Sequence, residues 1–338
     1  MDAMPRVSIV ILNWNGWKDT IECLESVYQI TYPNYDVIVV DNGSENESVE
    51  KIKEYAEGKL RVESRFFAYT TENKPLQYVE YSLEEAEKAV VHLPPNGKLI
   101  LIKSDKNFGF AEGNNTAIRY AFKVLNPEYI LLLNNDTVVD RVFLTELVNI
   151  TESDERIAFA GPKNYYYDYY GRTDVINFAG GKITLWKAKS EHIGIREFDE
   201  GQYDCITNTD YVTGACLLAR REVLEAIGLL DPVYFLYWEE TDWCMRAKNA
   251  GYKLIYVPSA KIWHKVAASQ KGVTNKFFFV RNSFIFVKRY ASKAQYAGYL
   301  LYFFGFKLWQ LSGISIIYRR NAKEWISIVK GTFEGIRT

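Results

Sequence analysis

Two hydrophobic spacings alternate along the first half of the chain. Val7-Ser8-Ile9-Val10-Ile11-Leu12 is a β-branched apolar run closed by Asn13-Trp14-Asn15-Gly16, the pattern of a buried strand followed by a turn. Ile21, Leu24 and Val27 follow at helical spacing with acids between them. The cycle then repeats: Asp36 to Val40 predicts a second buried strand, Asp41-Asn42-Gly43-Ser44 closes it, and Val49, Ile52 and Tyr55 mark a helix with Ser44 or Asn46 as candidate caps. Strand–helix–strand–helix order predicts an α/β protein with a mostly parallel, Rossmann-like sheet. A dinucleotide fingerprint is missing, because the first turn holds a single glycine.

Residues 61–97 interrupt this rhythm. Arg65 to Thr70 and Gln77 to Tyr81 suggest a hairpin around Glu72-Asn73-Lys74-Pro75, with a short helix over Leu83 to Val91, and the whole reads as an insertion on the sheet edge. Pro94 to Gly97 turns the chain into a strand over Lys98 to Ile102. The glycines and amides of Asn107 to Asn115 suit backbone close to a ligand or, equally, a plain turn before a helix over Thr116 to Leu125. Ile130-Leu131-Leu132-Leu133 then predicts a strand buried on both faces that ends on Asn134-Asn135-Asp136. Further on, the pattern predicts a helix over Phe143 to Ile150, a strand over Ile157 to Pro162 and irregular strand-like segments to Asp210. A strand after Gly214, helices over Arg221 to Ile227 and Thr241 to Ala250, and a strand over Tyr252 to Val257 follow.

Composition narrows the function classes. The net charge of −1 gives no overall field to attract nucleic acid, so none is expected as a partner. Cys23, Cys205, Cys216 and Cys244 form neither a CxxC pair nor a zinc spacing and read as reduced, packed thiols. With three histidines, a histidine-rich metal site is excluded. No basic-then-apolar leader precedes Val7, from which a cytoplasmic location is expected.

Asn13, Asp41, Asn107 and Asn134 to Asp136 all fall just after predicted parallel strands, hence on one edge of one sheet, where open α/β folds bind ligands. Glu239, Glu240, Asp242 and His264 come later, beside a second group of strands. Val7 to Asn15, Val39 to Ser44, Asn107 to Ala111 and Leu132 to Asp136 form an ordered series with Thr213-Gly214-Ala215, Glu239-Glu240-Thr241-Asp242-Trp243-Cys244-Met245-Arg246-Ala247, Gly251-Tyr252 and His264. This series resembles the family-2 glycosyltransferases, in the rhamnosyltransferase-like and galactofuranosyltransferase-like branch. The resemblance implies a GT-A fold and inverting transfer from a nucleotide-diphosphate sugar, a UDP- or dTDP-sugar, to a glycan or lipid-linked acceptor.

By position, the resemblance places Asn13, Trp14, Asp41, Asn107, Gly109, Asn135 and Asp136 at the nucleotide sugar. It places Gly214, Glu239 and Asp242 on the acceptor side, with Asp242 and Arg246 paired at i and i+4. Glu240 matches the general base. Asp136 and His264 match the ligands of a divalent cation, Mg²⁺ or Mn²⁺. Asn134 stands where the family often has an acid, which leaves Asp136 as the sole carboxylate of that turn. The implied domains are 1–270, with a nucleotide-sugar half (1–140) and an acceptor half (141–270), and a helical extension over 271–338. A sugar-phosphate nucleotidyltransferase would need a glycine- and arginine-rich phosphate loop that Asn13 to Gly16 does not supply. A non-catalytic sugar-binding relative would lack the base and metal carboxylate, yet Glu240 and Asp136 are both present.

Tyr296 to Phe306 carries no charged side chain, and basic residues flank the wider apolar run on both sides. Three readings apply: a helix lying at the headgroup level, a helix docked on the domain, and a membrane span. The many Tyr, Phe and Trp and the central Lys307 favour the first, with peripheral contact through 293–320 at the inner face of the cell membrane.

Overall fold

The computed structural model describes residues 4–90, 99–266 and 274–338. Strand and helix alternate through β1 (Val7–Asn13), α1 (Trp17–Val27), β2 (Tyr35–Asp41), α2 (Ser48–Ala56), β3 (Tyr78–Ser82), α3 (Leu83–Glu87), β4 (Leu99–Lys103), α4 (Gly109–Tyr120) and β5 (Tyr129–Asn134). The middle of the chain is β-rich: β6 (Thr137–Val139), α5 (Phe143–Glu152), β7 (Ile157–Tyr166), β8 (Ile176–Phe178), β9 (Gly181–Thr184), β10 (Lys189–His192) and β11 (Thr207–Asn208). It continues with β12 (Cys216–Arg220), α6 (Arg221–Ile227), α7 (Glu239–Asn249) and β13 (Lys253–His264), and ends in α8 (Thr274–Tyr290), α9 (Lys293–Tyr302), α10 (Leu308–Gly313) and α11 (Ala322–Arg337).

The main sheet runs β11-β13-β7-β12-β5-β1-β2-β4-β3 among the described residues, with β6 and β8 paired to β13 and β7. β1 lies inside it because its residues are apolar on both faces. Val7, Ile9 and Ile11 enter one core with α1, α2 and α5. Val10, Ile38 and Val40 enter the opposite core with α4, α6 and α7. Burial of each such side chain is worth roughly 1.5–3 kcal/mol. The strand period of two therefore fixes register, since a one-residue slip would exchange the layers. β1 through β5 pair in parallel, and β12 joins β5 antiparallel, so one continuous sheet links the two expected halves.

Several sequence expectations are corrected. Residues 65–70 and 77–81 do not form a hairpin; β3 pairs in parallel with β4 at the sheet edge. The reason is Lys74, whose buried ammonium bonds Glu25 of α1 and Tyr55 of α2 and so pulls the presumed turn against the domain. α4 begins at Gly109 rather than Thr116, and α7 at Glu239 rather than Thr241. β13 continues past Pro258 because the register with β7 shifts between Val257 and Lys261, and such an irregularity tolerates a residue without an N–H. Cys205 is exposed, unlike the other three cysteines. The expected Pro94–Gly97 turn and the 270/271 boundary lie outside the described residues.

α8 is not a detached extension. Val280, Phe284 and Phe286 share a third core with Tyr234 and Trp238, just ahead of α7. Lys293 to Tyr318 forms one helix of 26 residues, α9 and α10 with a π-turn after each, long and apolar enough by length and composition to cross a membrane. Of its most apolar window 17% is buried, which disfavours the docked-helix reading.

Candidate functional site

At the carboxyl edge of the parallel strands, the side chains form a closed network. Buried Asn13 donates to Asp41 Oδ1 (2.7 Å) and Ser44 Oγ (3.2 Å), while its Oδ1 accepts from Thr20 Oγ1 (2.8 Å) and the Gly16 amide (3.2 Å). Asp41 also accepts from the Ser44 amide (3.1 Å) and hydroxyl (2.6 Å). Asn135 joins through Thr20 Oγ1 (3.0 Å). The parallel register of β1 with β2 and β5 produces this meeting, since it sets Asn13 beside Asp41 and Leu12 beside Asn134. Trp14 stands at the rim, 57% exposed.

A second ring ties in Asn107, whose Oδ1 accepts from Asn42 Nδ2 (3.0 Å) and the Gly109 amide (2.7 Å). Gly109 is buried against another loop. Its φ is +82°, and an added Cβ would lie 2.5 Å from the Phe235 carbonyl oxygen. The glycine is thus accounted for by a close approach between segments.

Asp136 follows β5, and β6 pairs antiparallel with β13 so that His264 stands opposite Thr137. Asp136 Oδ1 and His264 Nε2 are 3.0 Å apart. The contact lacks hydrogen-bond alignment: neither ring nitrogen of His264 has a hydrogen-bond partner, and buried Asp136 Oδ2 has none. Burial acts to raise the Asp136 carboxyl, but the adjacent His264, with Lys265, outweighs it and holds the group below its ordinary value. Lys265 is anchored by Glu22 (2.6 Å) and Asp19, and its amide donates to the Asp136 carbonyl (2.9 Å). A carboxylate and an imidazole with unused lone pairs at one point fit a divalent cation. Among the described residues no cluster of three or more His, Cys, Asp or Glu could hold an ion. Asp136 and His264 would be two of the ligands of such an ion.

The other wall is built from distant segments. Glu239 and Glu240 open α7, behind Trp238 in a left-handed conformation (φ +77°, ψ −9°). Glu239 is buried with Oε2 unpartnered. Burial, then the neighbouring Glu240, pushes its carboxyl well up, and burial also raises Glu240. Gly214 faces both Phe110 of α4 and Glu240, whose Cβ would be 3.8 Å from an added methyl.

Asp242, three residues into α7, is tied to its neighbours. Its oxygens accept from Tyr234 (3.0 Å), Arg246 (2.9 Å), Arg289 (3.1 Å) and Tyr290 (2.7 Å), so it is buried and braces α7 against α8. The Asp242–Arg246 pair is present as an i, i+4 ion pair.

Ahead of α7 the loop is strained. Phe235, Tyr237 and Trp238 all have positive φ without being glycine, a state costing on the order of 1–3 kcal/mol each. Thr20 and Lys265 take part in these contacts, and Asn282 bonds carbonyls of this loop, without having stood out in the sequence. Thr20 could have been found seven positions after Asn13, on the helix face that returns to the strand edge.

A mostly parallel sheet between helical layers, a carboxylate turn after β5 and carboxylates opening a later helix define the GT-A class. The mannosyltransferase PcManGT from Pyrobaculum calidifontis, solved with GDP-Man and Mn²⁺, superposes with a TM-score of 0.57 at 15% identity, over 99% of this chain and 88% of that one. GalNAc-T7 with UDP, GalNAc and Mn²⁺ gives 0.56 at 17% identity, over 77% and 43%. The family described as "Glycosyltransferase like family 2" matches residues 80–281, and "Glycosyl transferase family 2" matches residues 8–70. The chain belongs to glycosyltransferase family 2.

Similar relatives include the low-salt glycan biosynthesis hexosyltransferase Agl10 of Haloferax volcanii, 28% identical over 44% of this chain and 46% of that protein. The dTDP-rhamnosyl transferase RfbF of Shigella flexneri is 23% identical over 57% and 64%. An N-acetylglucosaminyl-diphospho-decaprenol L-rhamnosyltransferase of Mycobacterium tuberculosis is 41% identical over 18% and 19%. The matches to Agl10 and RfbF thus cover about half to two thirds of the length of each relative.

Proposed function

We propose that the chain is an inverting glycosyltransferase moving a sugar from a nucleotide-diphosphate donor, a UDP- or dTDP-sugar, to a hydroxyl of a glycan or lipid-linked acceptor. The observation that carries this reading is the meeting of Asp136 and His264, with unpartnered ligand atoms, next to the Asn13–Asp41–Asn135 network. Asn13, Trp14, Asp41, Asn107 and Asn135 would hold the nucleotide. Asp136 and His264 would hold Mg²⁺ or Mn²⁺, which when bound supplies positive charge at the diphosphate. The acceptor oxygen attacks the anomeric carbon as the bond to the diphosphate oxygen breaks. Its proton passes to Glu240, and the diphosphate leaves with the bonding pair. The raised carboxyl of Glu240 suits a base that must accept a proton. A screen of nucleotide sugars with Mn²⁺ or Mg²⁺ tests the reading, since a bound donor must raise the unfolding temperature. If no UDP- or dTDP-sugar stabilises the protein or is consumed, the reading fails.

The lipid-linked acceptor and a place at the inner face of the cell membrane are supported by the C-terminal helices. Trp309 and Ile317 are 70% and 78% exposed. Residues 293–338 carry seven Lys or Arg against two Glu, while the whole chain is at −1. Exposed apolar side chains beside excess positive charge fit an anionic headgroup surface. Trp309→Glu and Ile317→Glu should abolish co-sedimentation with anionic vesicles while leaving donor stabilisation intact. Unchanged sedimentation would remove membrane contact from the proposal.

A further inference from the structure

α8 makes a contact that the family resemblance does not explain. Asn282 is fully buried, and its amide nitrogen lies 2.7 Å from the Tyr234 carbonyl oxygen, 2.9 Å from that of Leu236 and 2.8 Å from that of Tyr237. All three neighbours are acceptors, so the nitrogen end of the amide is fixed without ambiguity. Two hydrogens serve three carbonyls, and the Asn282 oxygen accepts from Arg281 Nε (2.9 Å). The Arg281 guanidinium reaches the Val233 and Tyr234 carbonyls. These carbonyls belong to the strained loop in front of α7.

What the loop does explains why it must be held. Leu236 N donates to Tyr234 O at 2.6 Å, closing a tight turn around Phe235 (φ +60°, ψ −56°), a rare and strained form. That turn aims the Phe235 carbonyl at the amides of Phe110 (2.6 Å) and Ala111 (3.4 Å). The Asn107 side chain takes the Gly109 amide, and this carbonyl satisfies the next two free N–H groups at the start of α4. The same strained run ends at Trp238, directly before Glu239 and Glu240. Trp238 Nε1 also donates to the Phe279 carbonyl of α8 (3.3 Å). α8 in turn is seated on α11, where Gly331 and Gly335 allow close approach: added Cβ atoms would lie 2.6 Å from Phe277 O and 2.9 Å from Arg281 O.

We propose that Asn282, supported by Arg281, is a positioning residue for transfer, clamping loop 231–238 so that the start of α4 and Glu240 at the start of α7 keep one fixed relation. This deepens the glycosyltransferase reading and rests on it for the role of Glu240. Without the amide donors the Tyr234, Leu236 and Tyr237 carbonyls lose the bonds that tie them to α8, and the three left-handed residues lose that hold. The loop then relaxes, and the carboxylate at its end loses its place.

The test uses Asn282→Asp, which keeps the shape and removes both donors, in the full chain. Amide hydrogen exchange across 231–238 should accelerate at least tenfold. Turnover should fall at least tenfold, while donor affinity stays within twofold of the parent and the protein remains folded. If exchange and turnover are both unchanged, the proposal is wrong. If exchange accelerates while turnover holds, the clamp does not position the base; a parallel loss of donor affinity also overturns it. Should Asn282→Asp fail to fold, Arg281→Met removes the guanidinium contacts alone and is read by the same three measurements. Glu240→Gln separates the two layers of argument. Retained turnover in that variant breaks the base assignment, whereas the exchange result for Asn282→Asp judges the clamp independently.

Discussion

The two walls of the site are built on opposite principles. On the Asn13–Asp41–Asn135 side every principal polar group already has a protein partner, and the residues sit within a few positions of strand ends. On the Glu239–Glu240 side Glu239 Oε2 is left unpaired, both carboxyls are raised in pKa, and both hang from a loop with three left-handed aromatic residues. The first wall is a preformed cradle that stabilises the fold while it waits. The second stores strain and unmet electrostatic demand, the usual mark of groups set for chemistry rather than stability. Breaking a residue in each wall should therefore give different signatures.

The largest effect is expected at the base. Glu240→Gln should lower turnover by roughly 10²–10⁴-fold, the range for a positioned general base. Donor-induced stabilisation should be preserved, because the carboxylate acts on the acceptor. Turnover close to the parent would mean that another group takes the proton.

Next comes the Asp136–His264 pair. His264→Ala should raise the Mn²⁺ concentration needed for half-maximal donor stabilisation by about 10–100-fold, the scale seen when support at a metal site is lost. A titration of unfolding temperature against Mn²⁺ at fixed donor measures this. An unchanged midpoint would leave Asp136 without its supposed partner.

The cradle should answer through stability. Asn13→Ala leaves Asp41 and Thr20 facing a vacated position, and an unpaired buried polar group costs about 1–3 kcal/mol. Chemical denaturation should show that loss even without any donor. If Asn13→Ala weakened donor binding and cost no stability, the cradle would not be preformed, and the contrast between the walls would disappear.

This contrast also explains what could be read from the sequence. The cradle was legible because apolar runs such as Val7 to Leu12 and Ile130 to Leu133 announce buried strands, and the polar residues after them must share an edge. The strained wall was not. Phe235, Tyr237 and Trp238 are bulky residues that give no turn signal, and their conformation is imposed by Asn282, far along the chain. Gly109 and Asp242 have packing roles that their positions in the sequence do not reveal. Both lie close to the site, yet one makes room for Phe235 and the other ties α7 to α8. The hairpin expected around Asn73 failed for a related reason: Lys74 is a buried tether, and local turn chemistry cannot reveal that.

The smallest expected effect is also the one that bears most directly on the second wall. Burial and the adjacent Glu240 raise the Glu239 carboxyl well above its ordinary value of 4.5. In the pH window above that value the folded chain retains a proton that the unfolded chain has released. Folding stability therefore falls as pH rises through the window, because the folded state binds more protons. Glu239→Gln removes the group that produces this slope. The variant should unfold near the parent temperature at pH 4 and above it at pH 8, by an amount that grows with pH. Each unit by which the folded value stands above the unfolded one corresponds to about 1.4 kcal/mol. Melting curves collected from pH 4 to 8 measure this. If parent and variant run parallel throughout, Glu239 is not held protonated by its surroundings, and the second wall stores less electrostatic strain than its geometry implies.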